Sequence, residues 1–81
     1  MTYIATFYSH FGAIRFKKEC KKSNITAEAM PVPRDLSSSC GTCVKFETDG
    51  DIREFSWSQE VEQVVELSPA GYIIHYHVEC N

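Results

Sequence analysis

No run in this chain is apolar over the ~20 residues that a membrane helix needs. The opening residues, MTYIATFYSHF, lack the basic start and small-residue cleavage site of a secretory signal. The expectation is a cytoplasmic protein without membrane contact, in a compartment where disulfides rarely persist. A second C-x-x-C is missing, so Cys40 and Cys43 supply two of the roughly four ligands that a zinc site takes. Overall basic charge is missing too. The net charge is −3 and the pI about 5.5, which argues against a nucleic-acid partner. Repeats, low-complexity tracts, a phosphate loop and a glycosidase-like carboxylate pair are all absent. With so few convergent polar groups, a carrier or binding protein is expected rather than an enzyme, with neither metal nor organic cofactor.

What is present suits one small folded unit. At 81 residues and 43% hydrophobic, the chain can bury one core, so a single domain over 1–81 is expected. Charge is divided unevenly. Residues 1–45 hold seven Lys and Arg against three acids, a net +4, whereas residues 46–81 hold Arg53 against eight acids, a net −7. The basic half suits an anionic ligand or an acidic partner surface, or is simply a solvated face.

TYIATFYS, rich in β-branched and aromatic residues, predicts a first strand. Ser9 predicts the cap of a helix over HFGAIRFKKECKKS, with Ala13, Phe16 and Cys20 toward the core and the lysines favouring its C-terminal end. ITAEAMPVP predicts a second strand, and Pro31 and Pro33 place it at a sheet edge. CVKFET predicts a third strand. Trp57, Val61, Val64 and Val65, at i, i+4, i+7 and i+8 after a Ser56–Gln59 capping box, predict a second helix. YIIHYHVEC predicts the last strand. The fold class expected is α+β, a ferredoxin-like β-α-β-β-α-β domain with an antiparallel sheet in order 4-1-3-2 and two helices on one face. The other sheet face would need cover, which predicts a homodimer.

That topology brings the end of strand one, the start of helix one and the loop between strands two and three to one end of the sheet. PVPRDLSSSCGTC would then lie beside Ser9 and His10. A thiol near the free N–H groups of a helix start is shifted toward thiolate, the nucleophilic form. His10 and Arg34 would add positive charge, and Ser38, Ser39 and Gly41 would supply donors and a tight turn. Cys80 falls at the far end of its strand, out of reach. Cys20 reads as a buried structural thiol. Three uses of the Cys40–Cys43 pair stay open: a reactive carrier thiol, a C-x-x-C thiol–disulfide pair, or half of a metal or ligand site shared in a dimer, with His75 and His77 as further candidates. The plain reading is a tight loop in which the cysteines merely pack.

The stretches YIATFYSHFGAIRFKK and MPVPRDLSSSCG, with the strand that follows, resemble the small domain family described as putative selenium/sulfur carrier protein-like, over roughly residues 3–47. The resemblance implies that Cys40, in the S-S-S-C-G position, carries sulfur or selenium as a persulfide or selenide adduct. It also implies partner proteins that donate and accept that atom. Cys43 departs from the family pattern, as does the long stretch ETDGDIREFSWSQ. A second thiol there would resolve a Cys40 persulfide into a disulfide and release sulfide.

Overall fold

The computed structural model of the protein describes residues 1–34, 36, 41–49 and 61–77, of which 75–77 through their backbone alone. The described elements are β1 (Thr2–Phe7), α1 (His10–Lys22), β2 (Thr26–Pro31), β3 (Thr42–Glu47), β4 (Val61–Ser68) and β5 (Gly71–His77). The strands form one antiparallel sheet in the order β2-β3-β1-β4-β5.

This corrects the ferredoxin-like expectation of order 4-1-3-2 with two helices. The described residues hold one helix, and the segment expected to give the second is strand β4, which occupies the place beside β1. The misleading spacing has a physical origin. Thr6 pairs with Gln63 but Phe7 pairs with Val61, so β4 carries an extra residue at this point. Such a bulge changes the phase of an alternating strand. Val61 and Val64 therefore join one core cluster although they lie three residues apart. Val65 is buried on the opposite face, because β4 is covered on both sides. Valine at i, i+3 and i+4 thus imitates a helical stripe while the β-branched side chains suit a strand. The last strand, expected beside strand one, pairs instead with β4 across a turn at Ser68–Gly71, where the Ser68 hydroxyl donates to the Gly71 carbonyl at 2.8 Å. The capping box and Trp57 lie outside the described residues.

β1 is rich in β-branched and aromatic side chains and sits inside the sheet, with Tyr3 through Phe7 all buried. α1 is stopped at both ends by local chemistry. The Ser9 side chain accepts from the Gly12 amide at 3.3 Å, an N-cap. At the other end Asn24 takes φ +58, the Asn24 amide donates to the Lys21 carbonyl, and the Ile25 amide donates to the Cys20 carbonyl at 2.8 Å. That paired closure is a Schellman motif, with asparagine in the left-handed position. The helix then returns the chain to β2, which lies at the sheet edge with Pro31 as its last residue. β1 and β2 run parallel with β3 between them, a split β-α-β unit.

α1 covers one sheet face. Beneath it Phe46 stacks on Tyr3 at 5.4 Å between ring centroids and meets Phe16 edge-on at 5.1 Å, and Phe7 lies 5.6 Å from Phe16. The opposite face holds a second cluster of Ile4, Cys43 and Val65, rimmed by Met30, Val32, Leu36, Leu67 and Tyr72. The homodimer expectation rested on this face needing cover, and the cluster gives part of that cover from within the chain.

Candidate functional site

The candidate site gathers where β1 passes into α1 and where the β2–β3 connection enters β3. The connection is tied at its base: the Val32 amide donates to the Gly41 carbonyl at 3.1 Å. Within it the Leu36 amide donates to the Pro33 carbonyl at 3.0 Å, a turn that leaves Arg34 exposed. Gly41 has φ +75, a left-handed backbone that suits glycine. Nothing lies within 4 Å of where its Cβ would be, so backbone conformation rather than crowding sets the preference.

Thr42 opens β3 and joins the two elements. Its Oγ1 lies 2.9 Å from His10 Nδ1 in a hydrogen bond, with the hydroxyl donating when that nitrogen carries no proton. His10 is the first residue of α1 and is exposed. The amides of His10 and Phe11 precede the first helical acceptor and have no partner within the helix. Positive dipole potential therefore reaches the end of the sheet where the connection closes. Ser9 serves the helix itself, its Oγ being used by the cap.

The two described cysteines differ from an exposed thiol. Cys43 is fully buried on the sheet face opposite α1, and its thiol donates to the Pro31 carbonyl at 3.8 Å. Cys20, on the inner side of α1, is 2% exposed, and burial, with the Glu19 charge beside it, pushes its pKa up to about 11. It stays a neutral, packed thiol at any ordinary pH. Cys40, Ser38, Ser39 and Cys80 lie outside the described residues, as do the side chains of His75 and His77. Their assigned roles therefore rest on sequence. Among the described residues no three His, Cys, Asp or Glu side chains gather as metal ligands would.

Thr42 is the site residue that sequence reasoning passed over. Its only signal was its place in C-G-T-C at the mouth of a strand, next to the two cysteines that drew attention.

No helix among the described residues is long and apolar enough to cross a membrane. No curated protein matches the chain. No solved structure matches it either. A family model does match, over residues 2–64, more than three quarters of the chain. The match runs from β1 through α1 and the tied connection into β4, so it includes Cys40 and both partners of the His10–Thr42 bond. On that span the chain belongs to the family described as Putative Se/S carrier protein-like.

Proposed function

We propose that this protein carries sulfur or selenium on Cys40 and works as a carrier rather than an enzyme. The observation that supports the reading most is the hydrogen bond between His10 and Thr42. Cys40 precedes Thr42 by two residues, and two residues of chain span at most about 7 Å. On this reading a thiol so tethered would sit in the field of the α1 N-terminus, which favours thiolate. Arg34 on the same connection adds a cation, and Ser38, Ser39 and the local amides supply donors to the anion.

In the transfer step the Cys40 thiolate attacks the outer sulfur of a donor persulfide, R–S–SH. The donor S–S bond breaks, a new S–S bond forms on Cys40, and the donor leaves as RS⁻. The product is Cys40–S–SH, and no external oxidant enters. With R–S–SeH the same exchange loads selenium. Delivery repeats the step with an acceptor thiolate, at rates set by thiolate fraction and access. Cys43 would serve as a resolving thiol, forming a Cys40–Cys43 disulfide and releasing HS⁻, only in a form where Val32 and Leu36 have lifted away from it. The chemistry needs a reducing compartment, and on that ground we place the protein in the cytoplasm. Its partners are the donor and acceptor proteins of the atom carried.

The test is the mass of protein treated with glutathione persulfide and mapped by peptide. One extra sulfur on Cys40, released by reductant and lost in Cys40→Ser, is the expected result. An adduct that persists in Cys40→Ser, or none on the native chain, would overturn the proposal.

A further inference from the structure

The outer face of α1 has a character that packing and helix chemistry leave unexplained. At about 100° per residue, Phe11, Ile14, Arg15, Lys18, Lys21 and Lys22 share an arc of roughly 120°. The buried Gly12, Ala13 and Cys20 fall on the opposite side. Phe11 is 79% exposed and Ile14 is 52% exposed. A helix dipole accounts for Lys21 and Lys22 in the last turn, but not for Lys17 and Lys18, nor for two uncovered apolar side chains in the first half. Among the described residues Lys17, Lys18, Lys21 and Lys22 have no ion-pair partner. The stripe is also graded along its length. Its apolar end is the end that meets Thr42, and its basic end points away.

We infer that this stripe is a docking surface for a partner protein that presents an apolar surface flanked by carboxylates. Phe11 and Ile14 pack on that apolar surface, and Lys18, Lys21 and Lys22 face the carboxylates. The inference rests on the carrier reading, since it orients the donor or acceptor of the atom with its apolar contact next to the connection that bears Cys40. Charge complementarity selects this occupant. The chain as a whole is at −3, so an extended polyanion is repelled at long range while a local acidic patch meets only the helix. A membrane would receive two apolar side chains, because the inner side of α1 is already packed on the sheet. A second copy offering its acidic half is the remaining rival occupant, and the growth of mass with concentration measured below separates it.

The experiment titrates isotope-labelled full-length protein, followed by amide NMR, with a helical peptide of about 18 residues carrying leucines flanked by glutamates. A copy with lysine for glutamate is the control. Expected are shifts centred on Phe11, Ile14, Lys18 and Lys22. The acidic peptide should bind at least about tenfold tighter than its basic copy, and the preference should fade in about 1 M salt, where screening length drops to about 3 Å. The exposed-site variant F11A/I14S should weaken binding by a similar factor. K18E/K21E/K22E should reverse the preference between peptides. Each variant is first checked for a native spectrum. Absence of binding, shifts spread over the sheet, tighter binding to phosphatidylglycerol vesicles or to a single-stranded oligonucleotide, or growth in mass with concentration that the helix variants abolish would each overturn the inference. Loading of Cys40 by glutathione persulfide needs no docking, so it should proceed in every helix variant. If it fails on the native chain while the peptide still binds, the carrier reading falls and the docking surface stands.

Discussion

The two faces of the sheet each hold a buried cluster, yet the clusters are built from different materials. Beneath α1 lie Tyr3, Phe7, Phe16 and Phe46 in ring contact, closed by a helix that is capped at each end. The opposite face has the smaller set of Ile4, Cys43 and Val65, and Val32 and Leu36 pack on it from the connection that leads to Cys40. Large rings against a regular element hold the fold together on one side. On the other, the burial of Cys43 depends partly on the connection that serves the candidate site. The helix face should therefore govern stability, and the far face should govern access.

The strongest way to break this division is Phe46→Ala. Phe46 is 1% exposed and contacts both Tyr3 and Phe16, so its truncation should cost about 3–5 kcal/mol. A domain this small has on the order of 5 kcal/mol to lose. Urea unfolding should show a largely unfolded population near room temperature. A loss under about 1 kcal/mol would mean that the rings are not the main support.

Next in size is the pH response of the helix face. The Cys20 thiol has its pKa raised from 9.0 to about 11, chiefly by burial. The folded state therefore keeps a proton that the unfolded chain releases above pH 9. Its contribution is fully present below pH 9 and is lost as pH rises from 9 to about 11, by about 3 kcal/mol in total. The measured quantity is the difference between native protein and Cys20→Ala, which separates the thiol from every other group. If both lose stability in parallel, the thiol is not desolvated as described.

What was legible in the sequence divides along local and non-local lines. The bounds of α1, its Ser9 cap, its stop at Asn24 and the core-facing Ala13 and Cys20 could be read directly, because each depends on neighbours within a turn or two. β4 could not be read, because its spacing reflects the bulge opposite Thr6 and Phe7 together with burial on both sides. Neither feature has a sequence mark of its own. The meeting of His10 and Thr42 needs only the split β-α-β unit, which survives although the rest of the expected topology does not. The burial of Cys43 was hidden for a different reason. In C-V-K-F the side chains of Val44 and Phe46 share the helix face and leave Cys43 with Lys45, a pairing that suggests exposure. Packing onto that face by residues distant in sequence or outside the strand, Ile4, Val65, Val32 and Leu36 among them, makes Cys43 a core residue.

The access half of the comparison is sharpened by Leu36→Ala. Leu36 is only partly buried, so the stability cost should be small, about 1 kcal/mol. The effect on Cys43 should be much larger in relative terms. Its labelling by a thiol reagent, separated from that of Cys40 by peptide mapping, should accelerate about fivefold, the equivalent of that same ~1 kcal/mol in an opening equilibrium. Cys20, on the inner side of α1, should label no faster. Equal acceleration of both thiols would mean that the variant loosens the whole molecule and that the two faces are not independent.

The smallest change separates the candidate site from both faces. Thr42→Val keeps the β-branched shape at the start of β3 and removes the hydroxyl that meets His10 Nδ1. His10 is exposed, so water replaces the lost partner and stability should fall by about 0.5–1 kcal/mol at most. The tie between helix start and connection is nevertheless gone. If that tie holds the Cys40 thiolate in the field of the helix, loading by glutathione persulfide should slow severalfold, and its pH profile should move to higher pH because less thiolate is present at a given pH. The sign matters: looser tethering with an unchanged pH profile would indicate altered access alone. A native rate and profile would mean that the His10–Thr42 bond closes a connection without tuning any chemistry.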